Sequence, residues 1–204
     1  MADTYRSLSI SPTISGDTAA ERFVYRRMER GDIDVVMDIN HSSMLERYPR
    51  ESFERILRIW PTACIVSQRG PEIAGYVLCV PARSWTDEQE TVGRIYSIAI
   101  RDSFRRKGVA QRLMSLARAR ISFLLAPALA PPRLLHPPTR PPVPPIDDAI
   151  RKLGYAACTL HVRKSNLAAQ NMYVKLGYGA VGVCGAYYGT EDGIMMSISL
   201  SGAH

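Results

Sequence analysis

Three adjacent basic residues, Arg105, Arg106 and Lys107, stand directly before Gly108, Val109 and Ala110, and this hexapeptide is the part of the chain best suited to hold an anion. Ahead of it, residues 95–100 read IYSIAI, the β-branched and aromatic composition of a strand. Behind it, Val109, Leu113, Leu116, Ala117, Ile121 and Leu124 recur at helical spacing. Such a turn leaves the first N–H groups of the helix without partners, pointing outward at the positive end of the helix dipole. Gly108 and the small Ala110 let a phosphate approach the backbone, and the three cations supply formal charge. The chemistry implied is a pyrophosphate cradle. An ordinary strand-to-helix turn with a solvated basic face is the plainer reading of such a turn taken alone. The pattern is neither GxxxxGK[ST] nor GxGxxG, which argues against an ordinary nucleotide loop.

Composition sets the frame. A chain of 204 residues suffices for one domain with a substantial core, and 46% hydrophobic with 22% charged residues are globular proportions. The net charge of +7 suits an anionic ligand or proximity to ribosomal RNA. No aromatic-basic RNA module accompanies it, so specific nucleic-acid binding is not expected. Cys64, Cys79, Cys158 and Cys184 are widely spaced and form no CxxC, so neither a zinc site nor a disulfide framework is indicated, and no metal is expected. Three of them sit in apolar, strand-like runs as buried thiols. With no signal peptide and no apolar run of membrane length, the expectation is a cytoplasmic protein without a membrane.

The elements that position the turn follow in order. Residues 1–20 read as a mobile tail, ahead of a single domain at 21–201. A short strand at 23–28 precedes a helix capped by Asp32, with Ile33, Val36 and Met37 on one face, running out near Ser43. Pro49 closes the next segment, and a second helix spans 51–59, ending before Pro61. Strands are predicted at 62–67 and 73–80 about a Gly70-Pro71 turn, followed by a polar loop at 82–90 and the central strand, turn and helix. Residues 126–145 hold nine prolines and read as a stiff, extended insert. A docking segment for a partner and an inert insert are both open for it, the inert one being plainer. Because a helix returns the chain to the opposite end of the sheet, this insert should emerge far from the turn that binds the anion. A helical turn at 146–153, a strand at 157–162 ending on Arg163, and a helix capped by Ser165 or Asn166 come next. That helix should bury Ala168, Met172 and Leu176 and stop at Gly177. Two last strands, 180–183 and 194–200, flank a loop with Tyr187, Tyr188 and Glu191-Asp192-Gly193.

Strand, two helices, three strands, helix, strand, helix and two strands is an order that resembles the GNAT acetyltransferases. The hexapeptide 105–110 is similar to their R/Q-x-x-G-x-G/A signature. Within that superfamily the chain resembles the N-terminal acetyltransferases of the NatA catalytic type and their archaeal counterparts. The matching pieces are ERY at 46–48, SIAI at 97–100 with RRKGVAQRLM, LHVRKSN at 160–166 with Tyr173 and KLGY, and AYYGTEDG at 186–193. They lie on both sides of the proline-rich insert, and LHVRKSN with its downstream tyrosine is the most specific. The fold implied is α/β: a twisted, mostly antiparallel mixed sheet with a splayed central parallel strand pair, flanked by helices.

The resemblance also implies roles. Ile98 and Ile100 would bond the pantetheine arm of acetyl-CoA through their backbone. Arg105, Arg106, Lys107, Gly108, Val109 and Ala110 would hold its pyrophosphate, and Asn166 would contact it. Tyr173 would sit near the sulfur and supply a proton or hydrogen bond to the departing thiolate; a core aromatic on an amphipathic helix is its equal alternative. Glu46 matches the glutamate of the substrate loop, and Tyr48 and Tyr188 match tyrosines at the peptide entrance, with Tyr187 beside them. The family has Leu-Pro before that glutamate and Asn after it, where this chain has Met44, Leu45 and Arg47, so its first-residue pocket should differ in shape. His161, on the strand beside the cofactor gap, is either a base or a bonded strand histidine, its neighbours Leu160 and Val162 facing the other way.

The implied reaction is direct attack of a protein α-amino group on the acetyl carbonyl in a ternary complex, with acetyl-CoA as cosubstrate and no metal. An α-amine has a pKa near 8 against about 10.4 for lysine, so freeing it of its proton costs about 3 kcal/mol less. Modest base assistance then suffices, with Glu46 acting through water as first candidate and backbone N–H near Ile98 polarising the thioester. None of the cysteines stands as a nucleophile. A GNAT enzyme for lysine side chains or small amines, and a non-catalytic acetyl-CoA-binding module, are the alternatives. Ribosome or auxiliary-subunit association is an open expectation.

Overall fold

The computed structural model describes residues 22–84, 91–129 and 157–200. Strands β1 (Phe23–Arg27), β2 (Ile65–Arg69), β3 (Glu72–Arg83), β4 (Thr91–Ile100), β5 (Ala157–Arg163), β6 (Gly179–Cys184) and β7 (Gly193–Ser199) form one sheet in the order β1-β2-β3-β4-β5-β7-β6. All neighbours are antiparallel except β4 and β5. Among the described residues the α-helices are α1 (Ile33–Ser43), α2 (Arg50–Ile59), α3 (Val109–Leu129) and α4 (Leu167–Lys175). This is the mixed sheet flanked by helices that the sequence predicts.

Each face of the sheet carries a core. On one, Val109, Leu113, Met114, Ala117 and Ile121 of α3 pack with Ile95 and Ile100 of β4 and with Cys158, Leu160 and Val162 of β5. On the other, Ile33, Val36 and Ile39 of α1 and Phe53 and Ile56 of α2 pack on Tyr76, Leu78 and Ala99. Gly93 sets the approach of α3 to the sheet, since a Cβ there would lie 2.2 Å from the side chain of Ile121.

One irregularity shapes everything that follows. Leu78 stands opposite Ser97 but Cys79 opposite Ile95, so Tyr96 is an extra residue in β4, a β-bulge. It resets the alternation of faces: Ile95, Ile98 and Ile100 all join the α3 side, while Tyr96 and Ala99 join the α1–α2 side. The parallel pairing with β5 covers only Gly93, Arg94 and Ile95 against Cys158, Thr159 and Leu160. Beyond the bulge the two strands part, which leaves an opening in the pairing along β4 from Tyr96 to Ile100.

Several local expectations change. Asp32 precedes α1, but its carboxylate is taken by Arg26 and by the Glu29 N–H, at 2.7–2.8 Å, rather than by the helix. The strand expected from Thr62 starts at Ile65, because Pro61–Ala63 form a 3-10 turn. Ala168 is exposed; the inward face of α4 is Ala169, Met172, Tyr173 and Leu176, so the helix is rotated from the predicted phase. α3 runs to Leu129, so the first four residues of the proline-rich stretch, 126–129, are helical despite Pro127. The remainder of that stretch, the 1–20 tail and the helical turn at 146–153 lie outside the described residues.

Candidate active site

The basic turn is built as a cradle. A 3-10 turn, Asp102–Phe104, ends β4, and the buried Phe104 ring anchors it. Arg106 has φ 63° and Gly108 φ 76°. Both are left-handed, and the turn leads directly into the N–H groups of the first turn of α3, which lack helix partners. Arg105 is fixed by Asp102 at 2.7 Å and by the carbonyl of Ile100 at 3.1 Å. Lys107 lies 5.4 Å over the Phe104 ring. Val109 is buried and Ala110 half-buried, while Arg105, Arg106 and Lys107 are exposed.

Ile98 and Ile100 lie on the parted stretch of β4, and Asn166 stands beyond the end of β5. The Asn166 Oδ1 caps α4 by accepting the Ala169 N–H at 3.1 Å, which leaves its NH2 as the free end of the amide. Tyr173, on the inward face of α4, is buried beside Tyr178, ring centroids 6.0 Å apart, and burial pushes its phenol up to about 12. It therefore carries its proton throughout the neutral range.

On the other side of the opening the α1–α2 loop is held from below by Asn40. This fully buried amide donates to the Tyr76 hydroxyl at 3.1 Å and accepts from the Tyr48 N–H at 3.4 Å. Tyr76 in turn shares a 2.8 Å hydrogen bond with Ser97, next to the bulge. Tyr48 packs on Tyr96 with centroids 4.9 Å apart, while Leu45 is 82% exposed. Burial, then Tyr96 and the Glu46 carboxylate, raise the Tyr48 phenol.

Glu46 accepts a hydrogen bond from Arg163, the last residue of β5. The same guanidinium donates to Glu191 at 2.7 Å and lies 4.5 Å over the Tyr188 ring. Glu191 also accepts the Ser165 N–H at 2.7 Å, and Ser165 first and Arg163 next hold its carboxyl down at about 2. Tyr187 stacks on His161 with centroids 4.2 Å apart and planes 4° from parallel. His161 is half-buried with its Nδ1 enclosed; burial, then Arg94, lower its proton affinity, so the ring is neutral at pH 7. Leu160 and Val162 face the α3 core, as the strand alternation predicts.

The expected residues thus fall into two groups on either side of one opening. Ile98, Ile100 and Tyr173 belong to the core on the α3 side of the sheet, Arg105 to Ala110 lead into α3, and Asn166 caps α4. Glu46 reaches Tyr188 through Arg163, Tyr188 meets Tyr187, and Tyr187 stacks on His161, while Tyr48 packs on Tyr96. Arg163, Glu191 and Tyr96 were not among the predicted site residues. The bulge at Tyr96 leaves no local signal, and the Arg163 partners lie in two loops remote in sequence. Among the described residues there is no metal-ligating cluster, and no helix is long and apolar enough to cross a membrane.

Comparison with known proteins bears on the family and the fold. Residues 33–121 match the acetyltransferase (GNAT) family. The chain is 26% identical over 178 residues to an N-alpha-acetyltransferase of Sulfurisphaera tokodaii, covering 83% of this chain and 88% of the relative. It is 27% identical over 180 residues to the N-terminal acetyltransferase A complex catalytic subunit NAA10 of Arabidopsis thaliana, covering 87% of this chain and 78% of the relative. Among solved structures it shares its fold with Ard1 from Thermoplasma volcanium, with TM-score 0.62, 19% identity, and coverage of 87% and 97% of the two chains. Arabidopsis thaliana Naa50 in complex with a bisubstrate analogue, CoA-Ac-MVNAL, has the same fold, with TM-score 0.61, 13% identity, and coverage of 87% and 98%.

Proposed function

We propose that the chain, whose residues 33–121 match the acetyltransferase (GNAT) family, transfers the acetyl group of acetyl-CoA to the α-amino group of protein N-termini. The observation that carries the reading is the opening at Tyr96, with an anion cradle on one side and a carboxylate–tyrosine entrance on the other. The names of the relatives support the acceptor class.

In this reading the residues present fit acetyl-CoA. The turn at Arg106 and Gly108, with Arg105, Lys107, Val109 and Ala110, receives the pyrophosphate. The parted edge of β4 at Ile98 and Ile100 offers backbone groups to the pantetheine amides, and the Asn166 NH2 is the remaining polar contact. The polypeptide enters between the α1–α2 and β6–β7 loops, past Leu45, Tyr48, Tyr187 and Tyr188.

Glu46, through a water, takes the proton of the incoming ammonium. The freed amine attacks the acetyl carbon, and backbone N–H near Ile98 bears the charge on the carbonyl oxygen. The C–S bond then breaks as the C–N bond is completed; the thiolate departs with a hydrogen bond from the Tyr173 hydroxyl, which burial keeps protonated, and takes up the second amine proton through solvent. His161 remains neutral beneath Tyr187 and serves as a second acceptor for the amine proton or as a support for that ring. The cytoplasm, where acetyl-CoA and nascent chains meet, is the proposed location, and an auxiliary subunit or ribosome contact is the proposed assembly. NatB and NatC structures of the same fold are complexes.

The test is thiol release from acetyl-CoA with three acceptors: a peptide with a free N-terminus, the same peptide N-terminally blocked with an internal lysine, and a polyamine. Turnover on the first alone supports the proposal. Turnover on either of the others assigns a lysine or small-amine acetyltransferase, and binding without turnover assigns a non-catalytic module.

A further inference from the structure

Arg163 is shared between two carboxylates that the reaction does not use alike. One guanidinium nitrogen donates to Glu46, in the loop after α1, and the other donates to Glu191, in the loop before β7, at 2.7 Å. The flat face of the same group covers Tyr188 at 4.5 Å. All three charged side chains are partly enclosed, at 20% exposure for Arg163, 28% for Glu46 and 27% for Glu191. Glu191 is itself anchored, since the Ser165 N–H donates to its second oxygen at 2.7 Å and its own carbonyl accepts the Tyr188 N–H at 3.0 Å.

This sharing resolves a conflict. A carboxylate clamped by an undivided guanidinium is well placed but binds a proton weakly, which is poor for a base. A carboxylate without a clamp is basic but loosely placed. A second carboxylate on the far side of the cation returns negative potential to the first while leaving its hydrogen bond intact.

We propose that Glu191 is a positioning residue for acetyl transfer: by dividing Arg163 with Glu46 it keeps that residue held in place and yet basic. The inference rests on the reading above in which Glu46 receives the amine proton. The other groups around Glu46 do not substitute for Glu191. Arg47 and Tyr48 lie on its own loop, His41 comes from α1, Tyr188 from the facing loop, and Lys164 and Asp192 pair with each other at 3.9 Å. None of these brings a second carboxylate to the Arg163 guanidinium.

The test is the pH dependence of peptide turnover by the full chain for Glu191→Gln, Glu191→Asp and a Glu46→Gln control, with acetyl-CoA affinity measured by calorimetry. A weakened base matters only while the amine needs deprotonating. The expected Glu191→Gln deficit is therefore roughly 3- to 30-fold in kcat near pH 6.5, shrinking toward none near pH 9, above the α-amine pKa of about 8. Glu191→Asp should recover most of the rate, and acetyl-CoA affinity should stay within about twofold. A deficit of equal size at every pH, or one confined to peptide KM, overturns the proposal and leaves Glu191 as a tie for its loop. Glu46→Gln separates the two layers: if it matches the native rate at low pH, the base assignment falls and this inference with it. If Glu46→Gln shows the pH-dependent deficit and Glu191→Gln does not, this inference alone falls.

Discussion

Arg163, the last residue of β5, donates to Glu46 across 117 positions of the chain and so joins the sheet to the loop that follows α1. The contact ties the α1–α2 loop to the end of β5, both at the proposed acceptor entrance. Arg163→Met keeps apolar bulk over Tyr188 and removes the charge. We expect kcat/KM for a good peptide to fall roughly 10- to 100-fold, the worth of one or two charge-assisted hydrogen bonds. Acetyl-CoA affinity should hardly move. Unchanged peptide kinetics would detach this pair from catalysis.

Gly108 is the cradle residue with the least freedom to change. Its φ of 76° costs a residue with a Cβ about 1–2 kcal/mol. Gly108→Ala should therefore lower acetyl-CoA affinity modestly through strain in the turn. Gly108→Asp adds a negative charge where the pyrophosphate would lie and should lower it by about tenfold or more. Calorimetry on both variants separates the two effects, and equal losses would argue against an anion at this turn.

How far the sequence foretold these features depends on their range. The strand, basic turn and helix from Ile95 onward are local patterns, and each part is found where its residues predict. The α4 cap at Asn166 and its stop at Gly177, with φ 89°, were local signals too. The phase of α4 was not, because the run Leu167, Ala168 and Ala169 offers small or apolar residues on more than one face, and tertiary packing chose Ala169. Tyr96 alternates like any strand residue in the sequence; only pairing with β3 exposes it as the extra residue. The same limit hid Arg163: an arginine at a strand end reads as a solvated charge until two distant loops bring it Glu46 and Glu191.

His161 is expected to stay uncharged at pH 7. Burial, then Arg94, keep its proton affinity below the ordinary value of 6.5. Below about pH 6.5 the unfolded chain then binds more protons here than the native one, so stability is full above that pH and declines as pH falls toward the folded midpoint. NMR titration of the ring should give a midpoint below 6.5, and His161→Asn should flatten the acid side of the stability curve. A midpoint above 6.5 would contradict the enclosed, neutral ring.

The thiols divide by burial. Desolvation raises Cys64 and Cys158 to about 11 and also raises Cys79, and all three are buried. Cys184 alone is partly open. Brief alkylation of the native protein at pH 8 should label Cys184 and spare the others, since the thiolate is the reactive form. Cys184→Ala should retain full turnover, as transfer in a ternary complex requires. Loss of turnover with a trapped acetyl-cysteine in the native enzyme would replace that scheme by a covalent one.

The central claim concerns which nitrogen receives the acetyl group, and one measurement addresses it. A peptide carrying both a free α-amine and an internal lysine is incubated with the enzyme and acetyl-CoA near pH 7, and tandem mass spectrometry locates the added acetyl. The account predicts a single acetyl on the α-amine, lost in step with activity when Glu46 is changed to Gln. Acetyl on the lysine, with the N-terminus left free, would contradict it.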